Sequence, residues 1–353
     1  MAAAKSLFAF ERFPSFSNPN EKVLAYLLAA APEVYNTAEF ESTLKVHGCS
    51  TSITYDFSGP SGQPRSRLAS RSQFLGGDAN FHGIGGVYAK YTGALDAVVA
   101  DIRSSLPAAR VQVHGELFGG MYPGVATKCE GAVMGVNQVY YAPIRDVRFF
   151  DLFVDGQKIQ RDEMRALFTK HGVPHLPVRR RGTLAELLAA SPIFPDPLHL
   201  EYGLPTLPGN DAEGEVLQPI VPVLLPNGEY FMIKNKHPRH KEVGAAPAAK
   251  KEQGAVAAGS SSSLSQDIID YYLAHLTEAR LGSVLSKRPD GITDLIAMKA
   301  DKKLRATVTH ALVSDAIEDA IKNAPDDAHR DAPKTHAIKL RAVLFPRAQL
   351  LLV

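Results

Sequence analysis

The feature that most constrains the fold is a low-complexity segment at residues 243–264, which consists mainly of Ala, Gly and Ser. Such a segment has no apolar face to bury, and its composition is typical of a flexible linker. We expect it to separate a large domain, residues 1–242, from a small one, residues 265–353. The total of 353 residues exceeds the usual size of a single domain, which agrees with this division.

The residues before the linker favour a mixed α+β domain. Short runs rich in Val, Tyr, Phe and Thr, separated by Gly and Pro, predict strands at residues 52–55, 111–113 and 229–233. The run Leu95–Ile102 has apolar side chains at i, i+3, i+4 and i+7, which predicts an amphipathic helix.

Capping residues mark the starts of two further helices. Thr183 and Glu186 have the spacing of a capping box, and Ser265 is placed to cap the first helix after the linker. Apolar stripes at helical spacing follow: Ile268, Ile269, Tyr272, Leu273 and Leu276, and then Leu304, Val308, Leu312, Val313, Ala316, Ile317 and Ala320. These stripes predict a small all-helical C-terminal domain.

The composition excludes several classes of protein. With 39 Lys and Arg against 37 Asp and Glu, the net charge is only +2, which excludes a polycationic tail but not a local basic groove. Cys49 and Cys129 are the only cysteines, so neither a disulfide framework nor a zinc site is expected. No apolar run approaches the roughly 18 residues of a membrane span. We therefore expect an intracellular protein without a membrane partner, cytoplasmic or organellar.

The first residue that could carry chemistry is Lys45, in the tetrapeptide Lys-Val-His-Gly of residues 45–48. A lysine is nucleophilic only when neutral, which requires burial or nearby cations to lower its pKa. Lys234 and Lys236 alternate on a predicted strand, so both face one side and could supply such cations or bind a triphosphate. The alternative is that Lys45 is an ordinary solvated surface lysine.

Two carboxylates and an aromatic residue lie between these lysines. Glu116, within the Gly-rich residues 115–120, either accepts hydrogen bonds from a ribose or is an exposed acid in a turn. Phe150 is either a platform for a base or part of the core. Glu213 precedes a predicted strand and could hold a metal ion or orient an attacking amine, with a loop acid as the alternative. Arginines 179–181 could contact an RNA backbone or remain solvated.

This ordered set of residues resembles the covalent nucleotidyltransferases, and more closely the RNA ligase 2-type family of ATP-dependent, nick-sealing RNA ligases, whose members act in RNA repair and RNA editing. The resemblance covers most of the chain. Six segments follow the order of the family's motifs: Phe10–Asn18, Lys45–Gly48, Gly115–Gly120, Phe149–Asp151, Glu213–Val216 and Ile233–Lys236. Six motifs in one order are far more specific than any single motif.

The resemblance implies a fold and a set of roles. The fold is a mainly antiparallel-sheet nucleotidyltransferase domain, similar to ATP-grasp, with a helical domain that binds RNA. Lys45 would attack the α-phosphate of ATP and form lysyl-AMP, assisted by the other implied catalytic residues: Glu213, Lys234 and Lys236. The implied nucleotide-binding residues are Lys45, His47, Arg71, Glu116 at the ribose, Phe150 at the adenine, Glu213, Lys234 and Lys236. Mg²⁺, with Mn²⁺ as an alternative, would be held at Glu213.

Three residues depart from the pattern of the family. Leu44 stands where the family often has Glu, Ser50 where it commonly has Asn, and Gln218 where Lys is frequent. These departures concern the recognition of the 5′-phosphate and the orientation of the adenylate, rather than the nucleophile.

Together the residues and the resemblance predict an ATP-dependent RNA ligase that joins a 3′-hydroxyl to a 5′-phosphate, at nicks in duplex RNA. No obligate protein partner is implied. One alternative is a DNA ligase or a capping-type guanylyltransferase, which share the lysyl-nucleotide step. A second alternative is a catalytically silent RNA-binding subunit, against which the intact set of lysines and carboxylates argues.

Overall fold

The computed structural model describes residues 10–11, 13–14, 19, 21–59, 65–76, 81–126, 133, 139–240, 264–288 and 301–352. Cys129, most of the predicted linker and part of the segment Phe10–Asn18 lie outside these residues. Within them the chain forms two compact units, the first mainly of residues before Arg239 and the second mainly of residues after it. The domain boundaries at 242 and 265 remain predictions.

The first unit contains two antiparallel sheets. Sheet A has four strands in the order β7-β1-β8-β9, and sheet B has five in the order β3-β2-β4-β5-β6. The strands are β1 Phe40–Leu44, β2 Cys49–Asp56, β3 Arg65–Ser70, β4 Arg110–Gly119, β5 Arg145–Val154, β6 Gln157–Lys158, β7 Val178–Gly182, β8 Gly214–Pro219 and β9 Ile233–Lys236.

Helices accompany both sheets. In the first unit they are α1 Glu21–Ala30, α2 Pro32–Thr37, α3 Ile84–Ala89, α4 Thr92–Ser105, α5 Arg161–His171 and α6 Leu184–Ala189, with a 3₁₀ turn at Leu198–Tyr202. A second 3₁₀ turn, Pro238–His240, lies where the first unit ends. After residue 263 the described helices are α7 Gln266–Leu273, α8 Glu278–Ser286, α9 Lys302–Lys322, α10 Asp327–Thr335 and α11 Ala337–Leu350.

One face of sheet B forms the main core of the first unit. Odd-numbered residues of β2 and β4, such as Ile53 and Val113, point to this face and pack with the apolar sides of α3, α4 and α5. The predicted stripe Leu95–Ile102 is buried there, as expected. Because side chains alternate along a strand, the even-numbered residues of β2 and β4 point to the opposite face.

The second unit is all-helical among the described residues. Its core contains most of the predicted apolar stripes, without Ile269, together with residues of α8, α10 and α11. Ser265 accepts a hydrogen bond from the backbone N–H of Ile268 and so caps α7, as predicted. Arg280 is buried and pairs with Asp315 and Asp319 of α9, at 2.6 Å in each case.

The predicted α+β class, with mainly antiparallel sheets and a helical C-terminal region, is confirmed. The capping box of Thr183 and Glu186 is present at the start of α6. The strand predicted at residues 229–233 is wrong for most of its length, because β9 begins only at Ile233. Residues 229–232 instead close a turn, in which Leu225 N–H donates to Glu229 O at 2.8 Å. Among the helices that the structure describes, none is long and apolar enough to cross a membrane.

Candidate active site

A buried carboxylate and two lysines meet where three strands of sheet A end or begin. Glu213 Oε2 lies 2.8 Å from Lys45 Nζ, and Glu213 Oε1 lies 3.1 Å from Lys236 Nζ. The side chain of Glu213 is 5% exposed and that of Lys236 is 7% exposed, whereas Lys45 keeps 18% of its side-chain surface accessible. Three residues that the sequence places far apart therefore form one cluster.

The ends of three neighbouring strands bring this cluster together. Lys45 follows the last residue of β1, Glu213 precedes the first residue of β8, and Lys236 is the last residue of β9. Lys45 N–H donates to the carbonyl of Gly214 at 2.9 Å, and Gly214 lies opposite Lys236 in the ladder. Gly214 has a φ of +136°, and a Cβ atom there would overlap the carbonyl oxygen of Asn235, so the position requires glycine.

Two neighbouring lysines keep the Glu213 carboxyl ionised. Burial alone would raise the pKa of this carboxyl, but the ammonium groups of Lys45 and Lys236 outweigh burial and hold the pKa well below its usual range. His47 Nδ1 lies 3.5 Å from Glu213 Oε2. The backbone N–H of His47 donates to the hydroxyl of Tyr141 at 2.7 Å, which fixes the chain just after Lys45.

Glu116 lies on β4, on the face of sheet B opposite to that covered by α3, α4 and α5. It is opposite Ser50 on β2 and Arg148 on β5. Burial raises the pKa of Glu116 to about 7, and the nearby Glu213 acts in the same direction, while Lys45 and Arg71 lower it. Arg71, in the turn after β3, is thus close enough to interact electrostatically with Glu116.

Gly48 holds the β1–β2 connection against β4. A Cβ atom at Gly48 would overlap the carbonyl oxygen of Leu117, so only glycine permits this approach. The backbone N–H of Gly48 also hydrogen-bonds to the Glu116 carboxylate and favours its ionised form. The glycine of the tetrapeptide 45–48 therefore links the lysine to the second carboxylate.

Phe150 is displaced from the regular ladder by a β-bulge. Gly115 pairs with Phe149 and His114 pairs with Asp151, so Phe150 has no direct opposite residue on β4. Its ring is half-buried and lies edge-on to Phe13, with the ring centroids 5.3 Å apart. Its carbonyl oxygen accepts a hydrogen bond from Arg161 at 2.6 Å. A bulge of this kind re-aims a side chain, and here the ring of Phe150 packs against two apolar clusters.

The remaining predicted residues lie around this cluster. Lys234 is half-buried on β9, opposite Val216, and points to the same side of the sheet as Lys236. Leu44 is buried among apolar side chains, so it offers no polar group to a ligand.

Gln218 accepts a hydrogen bond from the ammonium of Lys158 at 2.7 Å. The arginines at 179 and 180 both pair with the buried Glu215, and that at 181 pairs with Asp162. Each of these three arginines therefore already forms an ion pair with a carboxylate.

Glu213, the predicted metal residue, has both carboxylate oxygens paired with lysine ammonium groups, so a divalent cation there would be held largely by other oxygens. Among the described residues no group of three or more His, Cys, Asp or Glu is arranged to bind a metal. Mg²⁺ commonly binds through one or two carboxylates, water and phosphate oxygens, and Glu213 is a buried carboxylate next to two phosphate-binding candidates. The arrangement thus suits an ion that arrives with a nucleotide.

Sequence patterns missed Tyr141 and the pairing of Lys158 with Gln218. Tyr141 lies in a loop without any motif, and its contact with His47 depends on a fold that brings residues 94 positions apart together. Lys158 belongs to a two-residue strand, too short to leave a periodic signal.

The chain was compared with known protein families. Residues 38–236 match the model of a family described as RNA ligase. The match begins just before β1 and ends on Lys236, so it includes every predicted site residue. None of the curated proteins matches the chain.

Similar solved structures include RNA ligases from Naegleria gruberi. A variant solved with ATP and manganese is 16% identical, with a TM-score of 0.38 and coverage of 65% of this chain and 57% of that chain. A variant with AMP and manganese is also 16% identical, with a TM-score of 0.38 and coverages of 64% and 56%. The ligase with pyrophosphate is 17% identical, with a TM-score of 0.36 and coverages of 67% and 61%. The chain therefore spans less than two thirds of the length of these proteins.

Proposed function

Since the chain belongs to the RNA ligase family, we propose that it is an ATP-dependent enzyme that joins a 3′-hydroxyl and a 5′-phosphate of RNA through AMP carried on Lys45. A nick in duplex RNA is the proposed substrate. The observation that carries the proposal is the cluster of Lys45, Glu213 and Lys236, in which a partly accessible amine is held 2.8 Å from a buried carboxylate.

In the first step, the neutral Nζ of Lys45 attacks the α-phosphorus of ATP. A nitrogen–phosphorus bond forms, and the bond to the pyrophosphate oxygen breaks with its electron pair. Lys45 begins as an ammonium and ends as a phosphoramidate N–H, so it loses two protons, one to solvent before the attack and one to solvent or the departing pyrophosphate as the bond forms. It also releases Glu213, which keeps Lys236 as its partner. A bound divalent cation would supply charge neutralisation at the phosphates.

Two further steps complete the joining. An oxygen of the RNA 5′-phosphate attacks the AMP phosphorus and frees the amine of Lys45. The 3′-oxygen of the neighbouring strand then attacks the 5′-phosphorus, loses its proton and expels AMP. Lys234 and Lys236 are proposed to bind phosphates, Glu116 the ribose, and Phe150 the adenine, with His47 and Arg71 close to the phosphates.

The first test is protein labelling. The protein is incubated with Mg²⁺ and ATP labelled at the α-phosphate, and label on the protein is measured after denaturation. We expect label on the wild type and on Lys170→Ala, an exposed surface lysine that pairs with Asp101. We expect none on Lys45→Ala. Wild-type protein without label, or label that persists in Lys45→Ala, would overturn the proposal.

The second test concerns the substrate. Sealing of nicked duplex RNA is compared with sealing of nicked duplex DNA, with ATP or GTP as the nucleotide. A preference for RNA and ATP supports the proposal. A preference for nicked DNA indicates a DNA ligase, use of GTP indicates a capping-type enzyme, and RNA binding without label indicates a silent subunit.

The helical region after the linker is proposed to bind the RNA duplex. Residues 332–353 contain four Lys and Arg and no Asp or Glu, and three of these cations, Lys339, Arg341 and Arg347, are exposed on α11. A positively charged surface of this kind attracts the phosphate backbone. Replacing these three residues by Gln should weaken binding of duplex RNA and leave labelling with ATP unchanged.

A further inference from the structure

A short loop, residues 139–142, packs beside the segment that carries the candidate nucleophile. The ring of Tyr141 lies in the apolar cluster that also contains Leu44 and Val46, the two neighbours of Lys45 along the chain. Both neighbours are buried. Tight packing of this kind leaves the backbone on either side of the lysine little freedom to move.

The hydroxyl of Tyr141 adds a directional contact just after the lysine. It accepts a hydrogen bond from the backbone N–H of His47 at 2.7 Å. Tyr141 is completely buried, and its ring lies edge-on to that of Phe118 on β4, with the ring centroids 5.3 Å apart. The packing of the ring therefore fixes the hydroxyl, and the hydroxyl in turn fixes the amide of His47.

The loop is itself held at two further points. The side chain of Asn210 forms two hydrogen bonds with the backbone of Tyr140, since its Oδ1 accepts from the N–H at 2.8 Å and its Nδ2 donates to the carbonyl at 2.9 Å. At the other end of the loop, the carbonyl of Ala142 accepts a hydrogen bond at 3.0 Å from the residue that follows β4. Asn210 is buried and lies shortly before Glu213 in the chain. The loop thus connects the segment of the nucleophile with the segment that leads to Glu213.

The Tyr141 hydroxyl is not suited to take up a proton. Burial raises the pKa of Tyr141 well above its ordinary value, and the carboxylates of Asp196 and Glu213 act in the same direction, while the N–H of His47 opposes them. The hydroxyl therefore stays neutral while the amine of Lys45 loses its protons. Its contribution to the site is geometric.

We propose that Tyr141 is a positioning residue for the nucleophile, and that the loop 139–142 sets the placement of Lys45 relative to Glu213. Because Tyr141 is completely buried, it acts through the backbone of His47 rather than on the nucleotide. The amine attacks when protein-bound AMP forms and leaves when AMP passes to RNA, so its alignment affects both steps. It takes no part in the final sealing step. This inference rests on the proposed function, because it assigns a residue that acts on the nucleophile of that reaction.

The test compares Tyr141→Phe with the wild type, as full-length proteins, in three single-turnover reactions. These are formation of protein-bound AMP from ATP, transfer of that AMP to nicked RNA, and sealing of a nicked RNA that already carries 5′-AMP. The variant keeps the ring but removes the acceptor of the His47 N–H. At saturating substrate the first two rates should fall about tenfold to a hundredfold, since a misplacement of about 1 Å can cost that much. The KM for ATP should stay within about twofold, and sealing of the pre-adenylated RNA should keep the wild-type rate.

A purely structural role of Tyr141 would give a different result. Loss of a hydrogen bond that only stabilises the fold lowers the fraction of folded protein, and this slows all three reactions alike. Equal slowing of the three reactions would therefore overturn the proposal. An unchanged rate of AMP formation in Tyr141→Phe would do the same.

Tyr88→Phe is the matched control. Tyr88 is also a buried tyrosine of the first unit, and its hydroxyl is hydrogen-bonded to that of Thr51 at 2.9 Å. It belongs to the core on the helix-covered face of sheet B, a different apolar cluster from that of Tyr141. Each variant loses one buried hydrogen bond, so the midpoint of urea unfolding should fall in both. The three rates should be unchanged in Tyr88→Phe, and a slowing of AMP formation as large as that of Tyr141→Phe would contradict a specific role for the loop.

Asn210→Ala tests the loop itself. This change removes both hydrogen bonds to the backbone of Tyr140 and leaves the hydroxyl of Tyr141 in place. We expect the same selective slowing of the two steps that involve the amine. If both residues act through the loop, the double variant Tyr141→Phe/Asn210→Ala should be slowed little more than the slower single variant. Effects that multiply would show that the two residues act independently, against the proposed role of the loop.

The positioning role and the proposed function fail in different ways. If the wild type forms no protein-bound AMP, the proposed function fails and the positioning role fails with it. If the wild type and Tyr141→Phe form protein-bound AMP at the same rate, only the positioning role fails.

Discussion

Two buried ion clusters in the first unit have similar chemistry but different accessibility. The site cluster consists of Lys45, Glu213 and Lys236. The inter-sheet cluster consists of Glu41, Asp151, Lys158 and Arg161, and each of its charged side chains is at most 2% exposed. Lys45, by contrast, keeps 18% of its side-chain surface accessible. A ligand can therefore reach the amine of Lys45, whereas the side chains of Lys158 and Arg161 are closed off from solvent.

The inter-sheet cluster joins the two sheets. Lys158 Nζ lies 2.8 Å from Asp151 on sheet B and 2.7 Å from Gln218 on sheet A. Arg161 pairs with Asp151 and also, at 2.6 Å, with Glu41 on sheet A. Each cation thus bridges the sheets, and Arg161 additionally holds the carbonyl of the bulged Phe150. Glu41 also pairs with Arg165 at 2.6 Å, which extends the network toward the surface. We assign the network a positioning role in the fold.

The comparison teaches that burial of a charge does not by itself indicate catalysis. A buried pair that loses one partner leaves an uncompensated charge, which is costly. Carboxylates in both clusters have two cationic partners, so the difference lies in the accessibility of Lys45, which can leave Glu213 for a ligand while Lys236 stays. We therefore expect substitutions in the two clusters to affect different properties.

The largest expected effect is on catalysis, for Lys45→Met. The rate of protein-AMP formation should fall by at least about 10⁴-fold, because the nucleophile is absent. The free energy of unfolding should fall by about 1–3 kcal/mol, because the buried Glu213 loses one of its two cations and keeps Lys236. Labelling with ATP and urea unfolding measure the two quantities.

Lys158→Met is the matched variant in the other cluster. It should lose stability by about 3 kcal/mol and keep labelling within a few-fold, at temperatures where it is folded. If Lys158→Met abolished labelling while remaining folded, the division between the two clusters would be wrong.

The next effect is on stability, for Arg161→Met. This change removes the cation that Glu41 and Asp151 share, although Arg165 still pairs with Glu41 and Lys158 still pairs with Asp151. Because the lost guanidinium is itself buried between them, we expect a loss of about 3 kcal/mol in the free energy of unfolding. Arg181→Met is the control, because Arg181 is 37% exposed and pairs with the exposed Asp162. Its cost should be below about 1 kcal/mol. Equal costs in urea unfolding would show that the inter-sheet cluster contributes no more than a surface pair.

A third prediction concerns pH and Glu116. Because its pKa is about 7 in the folded protein against an ordinary value of 4.5, the folded protein holds a proton that the unfolded chain has lost between these values. This stabilising contribution is complete below pH 4.5 and is lost as pH rises through 7. Glu116→Gln should therefore unfold with a free energy about 1–3 kcal/mol higher than the wild type at pH 8.

Glu213 provides the contrast for this measurement. Its pKa is lowered, so its contribution is present above pH 4.5 and is lost as pH falls below that value. Unfolding curves from pH 3 to 8 should thus show Glu116→Gln gaining stability at high pH and Glu213→Gln losing it. The same sign for both variants would contradict the assigned pKa shifts.

The smallest expected effect is on nucleotide affinity, for Phe150→Leu. Loss of a stacking surface should raise the KM for ATP by roughly fivefold, about 1 kcal/mol. Phe149→Leu is the control, because Phe149 is fully buried on the helix-covered face of sheet B. That variant should lose stability with an unchanged KM. A rise in KM of the same size for Phe149→Leu would argue against Phe150 as the platform.

Local patterns predicted local structure well. The capping box at Thr183, the cap at Ser265 and the apolar stripe of α4 all depend on residues within about two helical turns, and each is present. The strand predicted at 229–233 is wrong because its apolar residues are shared between a turn and β9, and composition does not distinguish the two.

Local sequence patterns predicted only part of the site. The alternation of Lys234 and Lys236 and the position of Glu213 before a strand follow from the sequence, and the structure agrees with both. The inter-sheet cluster was not predicted, because Glu41 and Arg161 are 120 positions apart and carry no motif. Gly48 was predicted as part of a motif, but its contact with Leu117 depends on how β4 packs.

The sequence by itself determined the types of element and the presence of a sheet-rich and a helical part, and it supplied the set of residues proposed to handle a nucleotide. These properties depend on neighbours along the chain, such as periodicity, capping and motif order. The tertiary structure alone decided which charges meet. Strand ends bring Lys45 to Glu213 and leave the lysine accessible, whereas the packing of sheet A on sheet B seals Lys158 and Arg161, because burial and pairing depend on contacts between distant segments.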